Sequence, residues 1–128
     1  IRNPMKRPEQ ALQRAVVEYL AILERQGRLV YYAIPNGGWR SKTEAAIFKG
    51  QGVRAGVPDI GLVLPGGQAA FIELKAPGRK TTDAQDIMLD DLHLMGALTA
   101  VCNSLESVKG TLDAWLGPID RQGAARMQ

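Results

Sequence analysis

Cysteine and histidine are nearly missing from this chain: Cys102 and His93 are the only ones in 128 residues. A lone cysteine closes no internal disulfide, and the two residues together build neither a zinc site nor a Cys/His nucleophilic couple of useful spacing. Histidine-based catalytic motifs go with them, and no Gly-x-Ser-x-Gly turn is present for a serine hydrolase. No apolar run reaches the roughly 18 residues that suggest a membrane span, and no charged-then-apolar segment opens the chain. The expectation is a cytoplasmic protein without a membrane segment. Internal repeats and low-complexity tracts are also absent. Any chemistry must therefore run on carboxylates and lysine, and any metal must be a hard one held by oxygen.

What is present suits one globular domain over residues 1–128, with 45% hydrophobic and 23% charged residues. The core is expected at about 8–116, with an aperiodic tail over 117–128. Net charge is +3, unevenly spread. Residues 40–80 hold seven bases against three acids, whereas the rest holds nine bases and ten acids. A polyanionic substrate and a merely solvated basic surface both fit that excess.

Apolar periodicity predicts a helix over 8–26, with Pro8 in its first turn and Gly27 at its stop. A strand over 29–34 leads to a Pro35-Asn36-Gly37-Gly38 turn. Residues 39–56 are Gly-rich and basic, with one or two helical turns around 42–49. Strands follow at 60–64 and 69–76, joined tightly through Pro65-Gly66-Gly67-Gln68. A helix over 83–95, a strand over 98–102 and a helix capped by Ser104 and ending at Leu116 complete the chain. A helix between the third and fourth strands forces their pairing to be parallel. The fold class is α/β, with an αβββαβ core and a mixed central sheet flanked by helices.

Within that frame the informative residues are Asp59, at the end of Val57-Pro58-Asp59, and Glu73 and Lys75 in Ile72-Glu73-Leu74-Lys75. Alternation puts Glu73 and Lys75 on one face, roughly 6.7 Å apart along the strand. Asp59 immediately precedes the neighbouring antiparallel strand, so its carboxylate can converge with that of Glu73. Two carboxylates, the backbone carbonyl of Leu74 and waters would complete an octahedral oxygen shell for Mg²⁺ or Mn²⁺. Lys75 would then orient an attacking water and stabilise charge on a phosphate. The plainer alternative is a Glu73–Lys75 ion pair on an exposed edge. Gly50-x-Gly52-x-x-x-Gly56 has the wrong spacing and flanks for a nucleotide-binding loop.

Asp59, thirteen intervening residues, then Glu73-Leu74-Lys75 resembles the PD-(D/E)xK nuclease core. With Pro8-Glu9, Pro35-Asn36-Gly37-Gly38, Gln51-Gly52-Val53-Arg54-Ala55-Gly56-Val57-Pro58-Asp59 and Gln85, residues 8–116 resemble the VRR-NUC family of nucleases. Where the family name implies Val-Arg-Arg, this chain has Val53-Arg54-Ala55, which removes an arginine from the third position. The resemblance implies a restriction-endonuclease-like fold and a metal-dependent, structure-selective DNA endonuclease. The products would carry a 5′-phosphate and a 3′-hydroxyl.

Short members of the family resemble Holliday junction resolvases, which implies a homodimer acting on four-way junctions. A flap, duplex-repair or restriction-like nuclease and a non-catalytic DNA-binding module are the alternatives. The resemblance also adds Glu9 as a third carboxylate of the site, although an acid in a first helical turn is favourable in any case. Gln85 stands either at the active site or as the closing residue of a Thr82-x-x-Gln85 capping box, two roles that one amide group does not easily combine. Arg40, Lys42, Lys49 and Arg54 are the expected DNA contacts, followed by Arg79 and Lys80. Trp39 either stacks on a base or fills the core.

Overall fold

The computed structural model describes residues 7–35 and 41–117. Helix α1 spans Arg7–Arg25, and its Val16, Leu20 and Leu23 fall on one stripe and are buried. It ends where Gly27 N donates to Glu24 O and Arg28 N to Leu23 O, the paired bonds of a Schellman turn. Strand β1 (Val30–Ala33) follows, then α2 (Lys42–Gly50), β2 (Ile60–Leu64), a short 3₁₀ turn at Pro65–Gly67 and β3 (Gln68–Leu74). Helix α3 (Asp83–Leu94), β4 (Leu98–Cys102) and α4 (Leu105–Leu116) complete the order. None of the described helices is long and apolar enough to cross a membrane.

The sheet runs β1-β2-β3-β4, antiparallel across the first two pairings and parallel across the last. The parallel pairing follows from the α3 crossover, as the sequence predicts. Alternate side chains of β2 and β3 (Ile60, Leu62, Leu64, Ala70, Ile72 and Leu74) join Val16, Leu20 and Leu23 of α1 and Val108 and Leu112 of α4 in the core. Residues of the other parity face the opposite way, where Glu73 meets α3. The sheet therefore separates the main apolar core from the face on which Glu73 is buried.

Two details differ from expectation. Helix α2 is nine residues long rather than one or two turns, started by a capping box in which Ser41 Oγ accepts from Glu44 N and Ser41 N donates to Glu44. The strand expected over 69–76 ends at Leu74, although Lys75 N still donates to Cys102 O at 2.9 Å. The expected Pro35-Asn36-Gly37-Gly38 turn, Trp39, Arg40 and the tail from Pro118 lie wholly or largely outside the described residues.

Candidate active site

The β2–β3 register pairs Ile60 with Ile72, so Asp59, one residue before β2, stands opposite Glu73. The backbone anchors it firmly: Asp59 O accepts from Ile34 N at 2.8 Å, and Asp59 Oδ2 accepts from Leu74 N at 2.8 Å. Leu74 thus meets Asp59 through its amide. Glu73 is the one buried charged residue among those described, 2% exposed. Its Oε2 accepts from Gln85 Nε2 at 3.1 Å and lies 3.7 Å from Lys75 Nζ. Its Oε1 is buried and, with both acids ionised, has no hydrogen-bond partner, whereas a proton on Glu73 is shared with Asp59. An exposed-edge ion pair is therefore not what the strand carries, because the pair is sunk between sheet and helix.

Burial pushes the Glu73 carboxyl up to about 8, and the nearby Asp59 charge adds to the shift while Lys75 opposes it. Asp59 is raised as well, first by burial, against the lowering effect of the Leu74 amide. A buried acid with an unpartnered oxygen beside a second acid fits a hard cation, which would satisfy that oxygen and offset the repulsion. Among the described residues no group of three or more His, Cys, Asp and Glu side chains is gathered as a metal nest. The candidate ligands are a pair of acids, completed by carbonyl and water oxygens.

Glu9 reaches this end of the sheet from α1: its Oε1 accepts from Ala76 N at 3.4 Å, and its charge raises both Asp59 and Glu73. Gln85 corrects the either-or of the sequence. Its Oε1 accepts from Thr82 N at 2.9 Å and its backbone N donates to Thr82 Oγ1 at 3.2 Å, closing the capping box, while Nε2 holds Glu73. One carboxamide both closes the cap and contacts Glu73 because its acceptor and donor ends point apart. Thr82 is thus the helix cap that the Thr82-x-x-Gln85 spacing predicts, and it orients the carboxamide that meets Glu73.

Lys49 and Arg54 line a cleft of about 720 Å³ that also touches Phe48 and Gln85, the residue whose carboxamide contacts Glu73. Lys42 is exposed at the start of α2, and Arg79 and Lys80 are exposed between β3 and α3. Arg40 falls outside the described residues.

No curated protein matches the chain significantly. Among solved structures, one titled "VRR_NUC domain" superposes with a TM-score of 0.61 at 20% identity, covering 84% of this chain and 97% of that one. A second, "VRR_NUC domain protein", gives a TM-score of 0.66 at 21% identity over 94% of this chain and 96% of that one. At such identities the likeness establishes the fold. The model of the VRR-NUC domain matches residues 2–106, a span that includes Glu9, Asp59, Glu73, Lys75 and Gln85. The chain belongs to the VRR-NUC family, a nuclease-type domain.

Proposed function

We propose that this chain is a metal-dependent, structure-selective DNA endonuclease, working as a Holliday junction resolvase-like homodimer. The observation that carries the reading is Glu73, buried opposite Asp59 with one oxygen held by Gln85 and Lys75 and the other unpartnered. Such a group is costly unless a ligand completes it. Asp59, Glu73 and the Leu74 carbonyl are the groups that would hold Mg²⁺ or Mn²⁺. When bound, the ion supplies electrophilic stabilisation of the phosphate and its attacking water.

The chain's own residues do the rest. Leu74 N fixes Asp59 and Gln85 fixes Glu73, so neither carboxylate must reorganise on binding. Lys75, at the partly open edge of the site, orients the incoming water and stabilises charge that develops on the phosphate. Water's oxygen forms the new bond to phosphorus as the bond to the 3′ oxygen breaks. The leaving oxygen takes up a proton, giving a 5′-phosphate and a 3′-hydroxyl. Lys42, Lys49, Arg54, Arg79 and Lys80, with Arg40, supply the cationic surface for the DNA backbone. Two copies related by a twofold axis would present two such sites to a four-way junction of matching symmetry.

Labelled four-way junction, flap, linear duplex and single strand, each offered with and without Mg²⁺, test this directly. Paired nicks near the branch point of the junction, requiring metal and lost in Asp59→Asn and Glu73→Gln, are expected. A monomer that cuts linear duplex as readily as junctions would leave a general metal-dependent nuclease instead. Binding without cleavage under every condition would leave a DNA-binding module.

A further inference from the structure

The two edges of the sheet are treated differently. At β1, Ile34 N donates to Asp59 O, so in this antiparallel ladder Val30, Tyr32 and Ile34 turn their backbone groups to β2, while Tyr31 and Ala33 turn theirs outward. One of the outward amides, Tyr31 N, is already taken by Glu24 Oε2 at 3.1 Å, a carboxylate that α1 lays along the edge. An acid there deters a visiting strand.

At β4 the opposite holds. Lys75 N donates to Cys102 O, so in the parallel ladder Leu98, Ala100 and Cys102 turn their backbone groups to β3, and the N–H and C=O of Thr99 and Val101 point away from it. β4 is the last strand in the sheet order, and among the described residues no protein group bonds to those outward atoms. Leu98-Thr99-Ala100-Val101-Cys102 holds no charge, no proline and no glycine, so the usual guards against edge pairing are missing. Val101, the register partner of Glu73 and on the same face, is 49% exposed.

We propose that β4 pairs antiparallel with β4 of a second copy of this chain, joining two four-stranded sheets into one. The inference rests on the homodimer proposed above and names its interface. A twofold axis at Ala100 sets Thr99 against the partner's Val101 and Val101 against the partner's Thr99. Each pair exchanges both of its hydrogen bonds, which satisfies every outward group of both copies. The small Ala100 suits the centre, where facing Cα atoms of a non-hydrogen-bonded pair come within about 4.5 Å. Self-pairing across an axis is costly for a strand whose like charges meet, and this strand has none; its Thr–Val pairs are the β-branched kind that stabilise a ladder. The axis stands perpendicular to the sheet, so both Glu73 faces look the same way. With strands about 4.8 Å apart and a two-residue offset along them, the two Glu73 Cα atoms lie roughly 16 Å apart. Two sites are thereby held on one continuous surface, open to a single DNA.

Sedimentation equilibrium of the whole chain in EDTA measures the dimer dissociation constant. Val101→Pro deletes an outward N–H and no ladder bond, a position in an edge strand where proline is tolerated, and should raise the constant at least about tenfold. Val101→Lys, which keeps the amide and puts a charge on the edge, should do the same. Ala33→Pro, the matching deletion at β1, should leave the constant unchanged. The Thr99 and Val101 amides should exchange slowly in the dimer, and the same amides should exchange fast in Val101→Lys. A dimer that survives both substitutions at Val101, or one broken by Ala33→Pro alone, overturns the proposal and leaves the homodimer standing on another surface. Protection of the Thr99 and Val101 amides in a monomer also overturns it, since the chain's own residues then cover the edge. A wild-type chain that stays monomeric removes the interface and the homodimer together, and metal-dependent cleavage by that monomer keeps the nuclease reading. A dimer broken at Val101 in a chain that cleaves no DNA keeps the interface and removes the nuclease reading.

Discussion

At the scale of single residues, Glu73 makes the molecule's stability depend on pH in an unusual direction for an acid. Its carboxyl, at 4.5 in the unfolded chain and about 8 in the folded one, keeps a proton in the native state that the unfolded state has released. Between those values the folded chain binds more protons, so metal-free stability falls as pH rises from about 4.5 through about 8. Melting temperature in EDTA should drop across that window by on the order of 15 °C, and Glu73→Gln should remove most of the slope. Millimolar Mg²⁺ should raise the melting temperature most at the alkaline end, where no proton must be displaced, and not in the mutant. Asp59, Glu73 and Lys75 were legible in the sequence because strand alternation and a short hairpin fix which side chains share a face. The burial of Glu73 was not, since it depends on α3 closing over the sheet from twelve residues away in the chain.

Among the secondary-structure elements, α3 and its cap carry the site. Thr82→Ala removes the hydroxyl that accepts from Gln85 N and should cost about 1 kcal/mol of stability. Gln85→Ala loses its half of the same cap and, in addition, the hold on Glu73. With comparable losses of melting temperature, single-turnover cleavage by Gln85→Ala should fall at least about tenfold below that of Thr82→Ala, one charge-assisted hydrogen bond being about 1.5–3 kcal/mol. Equal rates would reduce Gln85 to a helix cap. The order of the strands and the ends of α1 and α4 were readable from periodicity and caps. Helix α2 was underestimated because its short, basic, Gly-flanked sequence has no apolar stripe to bury, although Ser41-Lys42-Thr43-Glu44 spelled its capping box.

For the whole molecule, charge placement governs how it meets DNA. The 40–80 span holds seven bases against three acids, and its Lys49 and Arg54 line the cleft that reaches Gln85, so association should weaken steeply with salt, by about 0.9 log units per log unit of salt for each neutralised phosphate. Replacing Lys49 and Arg54 together with alanine should flatten that slope by about one to two units, and calorimetric Mg²⁺ affinity should stay as it was. A slope unchanged by the double substitution would place the DNA elsewhere on the surface. The mixed sheet and its layers followed from the element order alone, because a helical crossover admits only a parallel neighbour. How the basic side chains are distributed around the acidic site did not, since Lys49 and Arg54 are drawn to Gln85 by a loop whose path depends on Gly56 packing against α3.

The carboxamide of Gln85 also turns a silent event into a visible one. Its oxygen accepts from the Thr82 amide while its nitrogen donates to Glu73, so ionisation of Glu73 strengthens one bond and polarises the other. The Thr82 amide proton is therefore a resident reporter, able to register the charge of a buried acid that no solvent probe reaches. In a ¹H–¹⁵N titration of the metal-free chain its resonance should move downfield with a midpoint near 8, the value set by Glu73 burial, and should stay flat in Glu73→Gln. A spectroscopist could then follow ion loading at the site through one backbone signal, without any DNA present.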